Sequence, residues 1–214
     1  LTAVPNWTGR LPIQGVPLAV LFSSWVAGRL AVTFGGWVAW QIALAVDATF
    51  LMLLAAAAAR EIAAGRKWNN LKVVAIISLL ALVNVAFHLE VHLYGAAEYS
   101  TRAGIALVVT LVCVIGGRIV PSFTRNWLAR RTPGRLPVSF NRFDAIVMIV
   151  GICAMILWVY EPTGGLTAGA LTAAGLLHLA RLVRWAGERT FSDRLVLILH
   201  VAYGFVPAGF FLSA

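Results

Sequence analysis

Seven long apolar runs constrain this chain more than any other feature. They lie near residues 15–34, 37–59, 71–94, 103–120, 144–160, 164–183 and 195–214. A helix needs ~20 apolar residues to cross the hydrocarbon of a bilayer, and most of the runs supply them. Hydrophobic residues make up 61% of the chain and charged residues 12%, against ~25% charged in a soluble domain. Its mean hydropathy is +0.88. Charge this sparse cannot cover a water-soluble surface of 214 residues. Strands of ~10 residues with alternating polarity, the mark of a membrane barrel, are absent. The expected fold is all-α: a polytopic transmembrane helical bundle of about seven spans, with residues 1–214 as one transmembrane domain.

Charge between the runs sets a topology. Bridges as short as Gly35-Gly36 and Glu161–Thr163 make their flanking runs antiparallel hairpins. With the first residues on the cytoplasmic side, the inner segments hold Arg10, then Arg60, Arg66, Lys67 and Lys72. The next inner segment holds Arg118, Arg125, Arg130, Arg131, Arg135 and Arg142, and the last holds Arg181, Arg184, Arg189 and Arg194. Of the 17 Lys and Arg residues only Arg29 and Arg102 fall elsewhere. Cytoplasmic loops carry this excess, so the net charge of +9 predicts lipid as the partner and no nucleic acid.

Leu1 is not an initiator, and no charged, cleavable leader precedes the first run, so the chain reads as a fragment of a longer protein. A weak internal repeat joins its ends. Gly9-Arg10-Leu11-Pro12 returns as Gly134-Arg135-Leu136-Pro137, and Ala59-Arg60 as Ala180-Arg181. One reading is shared loop composition. The other is a tandem of four-helix units, residues 1–128 followed by an incomplete copy at 129–214. Cys113 and Cys153 sit in apolar runs and are read as packing residues.

Ionisable groups within spans are costly and mark candidate sites. His88 and His92 share a helix face one turn apart, near the outer interface. They suit two ligands to a transition metal, copper above all, or two interfacial histidines bonded to headgroups, water or nearby Glu90 and Glu98. His178 and His200 lie at similar depth on consecutive antiparallel helices. They offer an axial haem ligand or part of a metal site, or else each bonds a neighbouring backbone or hydroxyl group. Arg29 and Asp47 lie on the first two runs, whose short connection makes them neighbours, and are expected to form a structural ion pair. Asn84 is expected to bond between helices. Trp7, Trp68, Trp127 and Trp185 at one boundary, with Trp37 and Trp158 at the other, read as an aromatic belt.

The segment Gly116-Gly117-Arg118-Ile119-Val120-Pro121-Ser122-Phe123-Thr124-Arg125-Asn126-Trp127 turns from an apolar run into paired glycines, a proline and two arginines. Glycine allows close backbone approach and proline removes a donor, so a broken helix end holding something polar is expected there. Arg118 and Arg125 either anchor to lipid phosphate or hold an anion such as a haem propionate.

That segment, together with Thr2-Ala3-Val4-Pro5-Asn6-Trp7-Thr8-Gly9-Arg10, Trp25-Val26-Ala27-Gly28-Arg29 and Leu199-His200-Val201-Ala202-Tyr203-Gly204-Phe205-Val206-Pro207, resembles the NnrS family of bacterial membrane proteins. The resemblance runs over essentially the whole chain. It implies a twelve-helix protein of the bacterial inner membrane that binds haem and copper. It also implies a role in the nitric oxide response, often beside denitrification genes. The family's histidine-rich early segment and its later His- and Gly-containing part have no counterpart here, which implies the middle of a longer member with cofactor sites that its flanks complete. Phosphate loops, serine-hydrolase elbows and dinucleotide fingerprints are absent, so no catalytic residue is assigned and an enzyme is not the expected reading. The competing class is a membrane transporter for a metal, a metal complex or an anion, to which intramembrane Asp47 and the glycine-rich break are suited.

Overall fold

In hydrocarbon a backbone has no water to bond, so an apolar run must satisfy its own N–H and C=O groups as a helix. A computed structural model describes residue 11 and residues 13–66, 68–131 and 133–214. Among the described residues the helices are α1 (Val16–Thr33), α2 (Trp40–Ala64), α3 (Leu71–Tyr94), α4 (Tyr99–Leu128), α5 (Arg142–Tyr160), α6 (Gly165–Val183) and α7 (Arg194–Leu212). Short 3₁₀ turns occupy Trp68–Asn70 and Gly187–Arg189. All seven helices are long and apolar enough to span a membrane, and the described residues contain no strand. The chain is an all-α polytopic membrane protein. Large apolar side chains such as Phe22, Leu82, Ile149, Leu176 and Phe205 are exposed on these helices, the surface that contact with lipid requires.

Helix ends follow local chemistry. Asn141 caps α5 by accepting from the Phe143 amide at 3.0 Å, while Asp144 accepts from the Asn141 amide at 3.1 Å. This reciprocal capping box satisfies donors that the first turn would leave orphaned. Asp193 caps α7, accepting from Leu195 and Val196 at 2.9 and 3.1 Å. Gly95, at φ 78°, ends α3 in the left-handed conformation that glycine enters without a Cβ penalty. Glu90, one turn before that end, reaches the start of α4: its carboxylate accepts from the amides of Glu98, Tyr99 and Ser100 and from the Ser100 hydroxyl. An anion at a helix N-terminus meets both its unpaired donors and its dipole.

α4 departs from expectation. Instead of breaking at Gly116-Gly117, it runs unbroken through both glycines and Pro121 for 30 residues. Proline inside a helix clashes with the carbonyl four residues back, and spanning helices tolerate it where neighbours satisfy what is freed. Gly117 stands at that position.

The described residues form two units, one ending at Leu107 and the other starting at Val108, with α4 contributing to both. In the first, α1 packs on α2 and α2 on α3; in the second, α5 packs on α6 and α6 on α7. Each is a run of antiparallel neighbours joined by short loops. In both, a glycine of the leading helix makes room for a polar side chain of the next. A Cβ on Gly28 would stand 2.8 Å from Asp47 Oδ1, and one on Gly151 would stand 3.0 Å from His178 Nε2.

The caps give a direct expectation. Replacing Asp193 by Ala removes the acceptor for two amides and should cost about 1 kcal/mol, read as a lower thermal midpoint in detergent. An unchanged midpoint would show that water or lipid satisfies those amides instead.

Candidate functional site

The second unit is organised around a buried guanidinium. Arg181, near the end of α6, is 2% exposed. Its Nε donates to Asp144 Oδ1 at 2.9 Å, and its Nη1 donates to the Tyr203 hydroxyl oxygen at 3.0 Å. The same nitrogen reaches Met148 Sδ at 3.3 Å and the Cys113 carbonyl at 3.4 Å. The ring of Trp185 lies 5.3 Å from the guanidinium carbon and 4.6 Å, edge to face, from that of Tyr203. Trp185 is therefore a core residue, 2% exposed, and leaves the expected aromatic belt; Trp37 and Trp68 are exposed. Asp144 joins two tasks, since the capping box that starts α5 also holds the carboxylate where Arg181 needs it.

The paired glycines of α4 explain how that charge fits. A Cβ on Gly117 would lie 2.2 Å from Arg181 Nη2, and one on Gly116 would lie 2.9 Å from the Tyr203 ring. The segment does hold something polar by close approach, as its composition indicates. What it holds is the protein's own arginine and tyrosine.

The Tyr203 hydroxyl, which accepts from Arg181, also lies 2.9 Å from His178 Nδ1, while Nε2 faces Gly151. The ring stacks on Phe210 with centroids 5.3 Å apart. Beside it is a cavity of about 10 Å³.

His200 takes different partners. Its Nδ1 lies 3.1 Å from the Val196 carbonyl, which only accepts, so Nδ1 bears the ring proton. In the neutral ring Nε2 keeps its lone pair. Thr124 Oγ1 is 3.3 Å from Nε2 but gives its hydrogen to the Val120 carbonyl at 2.8 Å. Gly187 lies against the same ring edge, where a Cβ would come within 2.6 Å of Cδ2. His200 and Gly187 line an open groove of about 680 Å³, walled by Leu182, Val183, Phe191 and Val201, with Arg135 and Glu188 paired at 2.9 Å.

In the first unit, Asp47 on α2 is 4% exposed and gathers three partners. Arg29 of α1 pairs with Oδ1. Asn84 Nδ2 donates to Oδ2 at 2.7 Å, and His88 Nε2 lies 3.3 Å from the same oxygen. His92, one turn on, stacks on Trp40 with centroids 4.2 Å apart. His88 and His92 thus point to different neighbours.

Arg125 is occupied as a brace, its Nη2 donating to the Pro137 carbonyl at 2.5 Å and to Ser139 Oγ at 3.1 Å. Arg118 lies on an exposed face of α4. Sequence reasoning gave no role to Asp144 or Tyr203, named Glu90 only as a partner for the histidines, and took Arg181 for a loop charge. The Asn141-x-x-Asp144 pattern was the available signal for a carboxylate fixed at a helix start. Thr2 to Arg10 and Lys67 lie outside the described residues.

The two groups implied by the resemblance can be tested against these residues. Among the described residues no three His, Cys, Asp or Glu side chains gather to hold a metal. His88 and His92 therefore supply no closed copper site by themselves. A porphyrin cannot enter the 10 Å³ cavity beside His178. The groove lined by His200 is large enough for one, with apolar sides, Gly187 and the Arg135 guanidinium.

A set of membrane-spanning helices that buries one arginine–carboxylate pair, a second carboxylate and histidines among them is a polytopic membrane protein with a polar core. Its sequence matches the NnrS protein family over residues 1–214, and the chain belongs to that family. No match was found among curated proteins or solved structures.

Removing one partner of a buried ion pair strands the other. Arg181→Met should cost ~3–5 kcal/mol, and adding Asp144→Leu to it should restore part of the loss. Thermal midpoints of both single variants and the double variant check this. Gly117→Ala should cost ~1–3 kcal/mol by overpacking, whereas Gly169→Ala, with nothing within 4 Å, should be neutral or better.

Proposed function

We propose that this chain is the cofactor-bearing part of an inner-membrane protein of the nitric oxide response, its first residues on the cytoplasmic side, and that it binds haem and copper. The observation that carries the reading is the His200 groove. The imidazole of His200, its Nδ1 proton committed to a backbone carbonyl, lies against Gly187, and both residues line an apolar cleft. Hydrogen bonding of this kind fixes the tautomer of a ligating histidine.

His200 would hold the haem iron, and Arg135 is the cation within reach of a propionate. Arg135 also donates to Glu188 and to the Val183 carbonyl at 2.8 Å, so its guanidinium is held in place rather than free to swing. Leu182, Val183, Phe191 and Val201 would shield a porphyrin bound there from water. Bound haem supplies an iron that ligates nitric oxide and exchanges single electrons. The chain's own residues bind, orient and shield; none stands as a proton donor to a reacting atom, and catalytic turnover of nitric oxide forms no part of the reading.

Absorption spectroscopy of the purified chain, reconstituted with haem in detergent, tests this. His200→Ala should abolish or shift the Soret band, and His178→Ala should leave it in place. Loss of the band in His178→Ala alone would overturn the assignment. Absence of haem from the wild type, with gradient-dependent uptake of a metal complex or anion in proteoliposomes, would favour transport.

A further inference from the structure

The first unit holds a groove of its own, apart from the sites described above. It lies between the start of α1 and the end of α2 and has a volume of about 430 Å³. α2 carries five consecutive alanines, residues 55–59, just before Arg60. Side chains that stop at Cβ leave space beside Val16 and Val20, and Ala56, Ala57 and Leu53 line the opposite wall. Val16, Val20 and Leu53 are exposed, so the groove opens outward to the surrounding hydrocarbon instead of into a core. We propose that it binds one anionic phospholipid of the bilayer, an acyl chain lying between Val20 and Leu53 and the phosphate held by Arg60. The site stands apart from the haem and copper reading, and its test involves neither.

Charge selects the headgroup. Arg60 lies on the groove, is exposed, and has no hydrogen bond or ion pair among the described residues. Arg125 and Arg135 of the second unit differ, since both are spent on loop carbonyls. A free planar guanidinium matches two oxygens of a phosphate, and basic pockets between spanning helices are recurring sites for acidic headgroups. Between Leu11 and Leu89 the acidic residues are Asp47 and Glu61. Asp47 is committed to Arg29, Asn84 and His88. Glu61 also lines the groove, but it is 6% exposed and has an interaction of its own within the protein. The charge presented at the rim is therefore that of Arg60.

Shape selects the tail. The groove is lined by aliphatic side chains and proline, with no aromatic ring among them. A planar ligand would find nothing to stack on, whereas a flexible hydrocarbon chain needs only apolar contact. Leu53 and Arg60 are two turns apart on α2, about 10 Å. That depth falls within one leaflet of a hydrocarbon layer ~30 Å thick. Arg60 stands one turn before the end of α2 at Ala64, so its long stem covers apolar surface while its charge reaches the headgroup level.

Native mass spectrometry of the whole chain tests this, with palmitoyl-oleoyl phosphatidylglycerol or phosphatidylcholine titrated into the detergent. One phosphatidylglycerol per chain should stay bound under conditions that strip phosphatidylcholine. Arg60→Gln should weaken phosphatidylglycerol binding about fivefold and erase the preference between the two lipids. Ala56→Leu, which fills the groove, should weaken binding of either lipid. Arg66→Gln, whose position does not line the groove, should bind as the wild type does. Both groove positions are exposed, so these variants should fold, and matched thermal midpoints without added lipid check that they do. Equal retention of the two lipids by the wild type, or unchanged binding in either Arg60→Gln or Ala56→Leu, would overturn the proposal. An equal loss in Arg66→Gln would overturn it too, as diffuse attraction to a basic surface. A dimer that Ala56→Leu dissociates would assign the groove to a second copy of this chain instead.

Discussion

A guanidinium out of contact with water must have its protons placed by the protein, and Arg181 imposes that demand on the whole second unit. Desolvating one such ion costs several kcal/mol even after relaxation, and attraction to a carboxylate offsets this only with good geometry and further acceptors. Asp144 provides the geometry through Nε, while Tyr203, Met148 and the Cys113 carbonyl provide the acceptors. α4 to α7 each contribute to that shell. Placing the charge therefore places the helices.

Much of the local structure is set by this charge. Gly117 has no side chain because the guanidinium occupies its place, and Gly116 yields to the ring of Tyr203. The tyrosine hydroxyl that accepts from Arg181 also bonds His178 Nδ1, so the charge and the imidazole share one partner. The surrounding loop is braced by more arginine. Arg125 holds the Pro137 carbonyl, Arg189 holds that of Arg135, and Arg135 holds that of Val183. Charges that orient a membrane protein by number here also bind loop carbonyls by position.

The helices are legible in the sequence because hydropathy and helix formation are local properties. Their ends are less so. The pattern predicts that α4 stops near residue 120, yet it continues to Leu128, because Gly and Pro break helices in water more readily than between packed neighbours. Arg29 against Asp47 can be anticipated from one short hairpin. The Arg181–Asp144 pair cannot, since its members are separated by the whole of the α5–α6 hairpin and each has a blander reading, as a loop charge or a helix cap. Equal depth suggests that His178 and His200 share a partner. Rotation about the helix axis, which depth does not report, sends one to Tyr203 and Phe210 and the other to Thr124 and Val196.

Glu90 and the amides it accepts lie only eight to ten residues apart along the chain. Closing so short a loop costs little entropy, and it requires no other part of the protein. The carboxylate can therefore engage the first turn of α4 while later segments are still being synthesised. A helix entering the bilayer with its leading amides already satisfied avoids drawing water after it. The corner between α3 and α4 is thus suited to act as a pivot for membrane insertion, in place before Arg181 and its partners have been made.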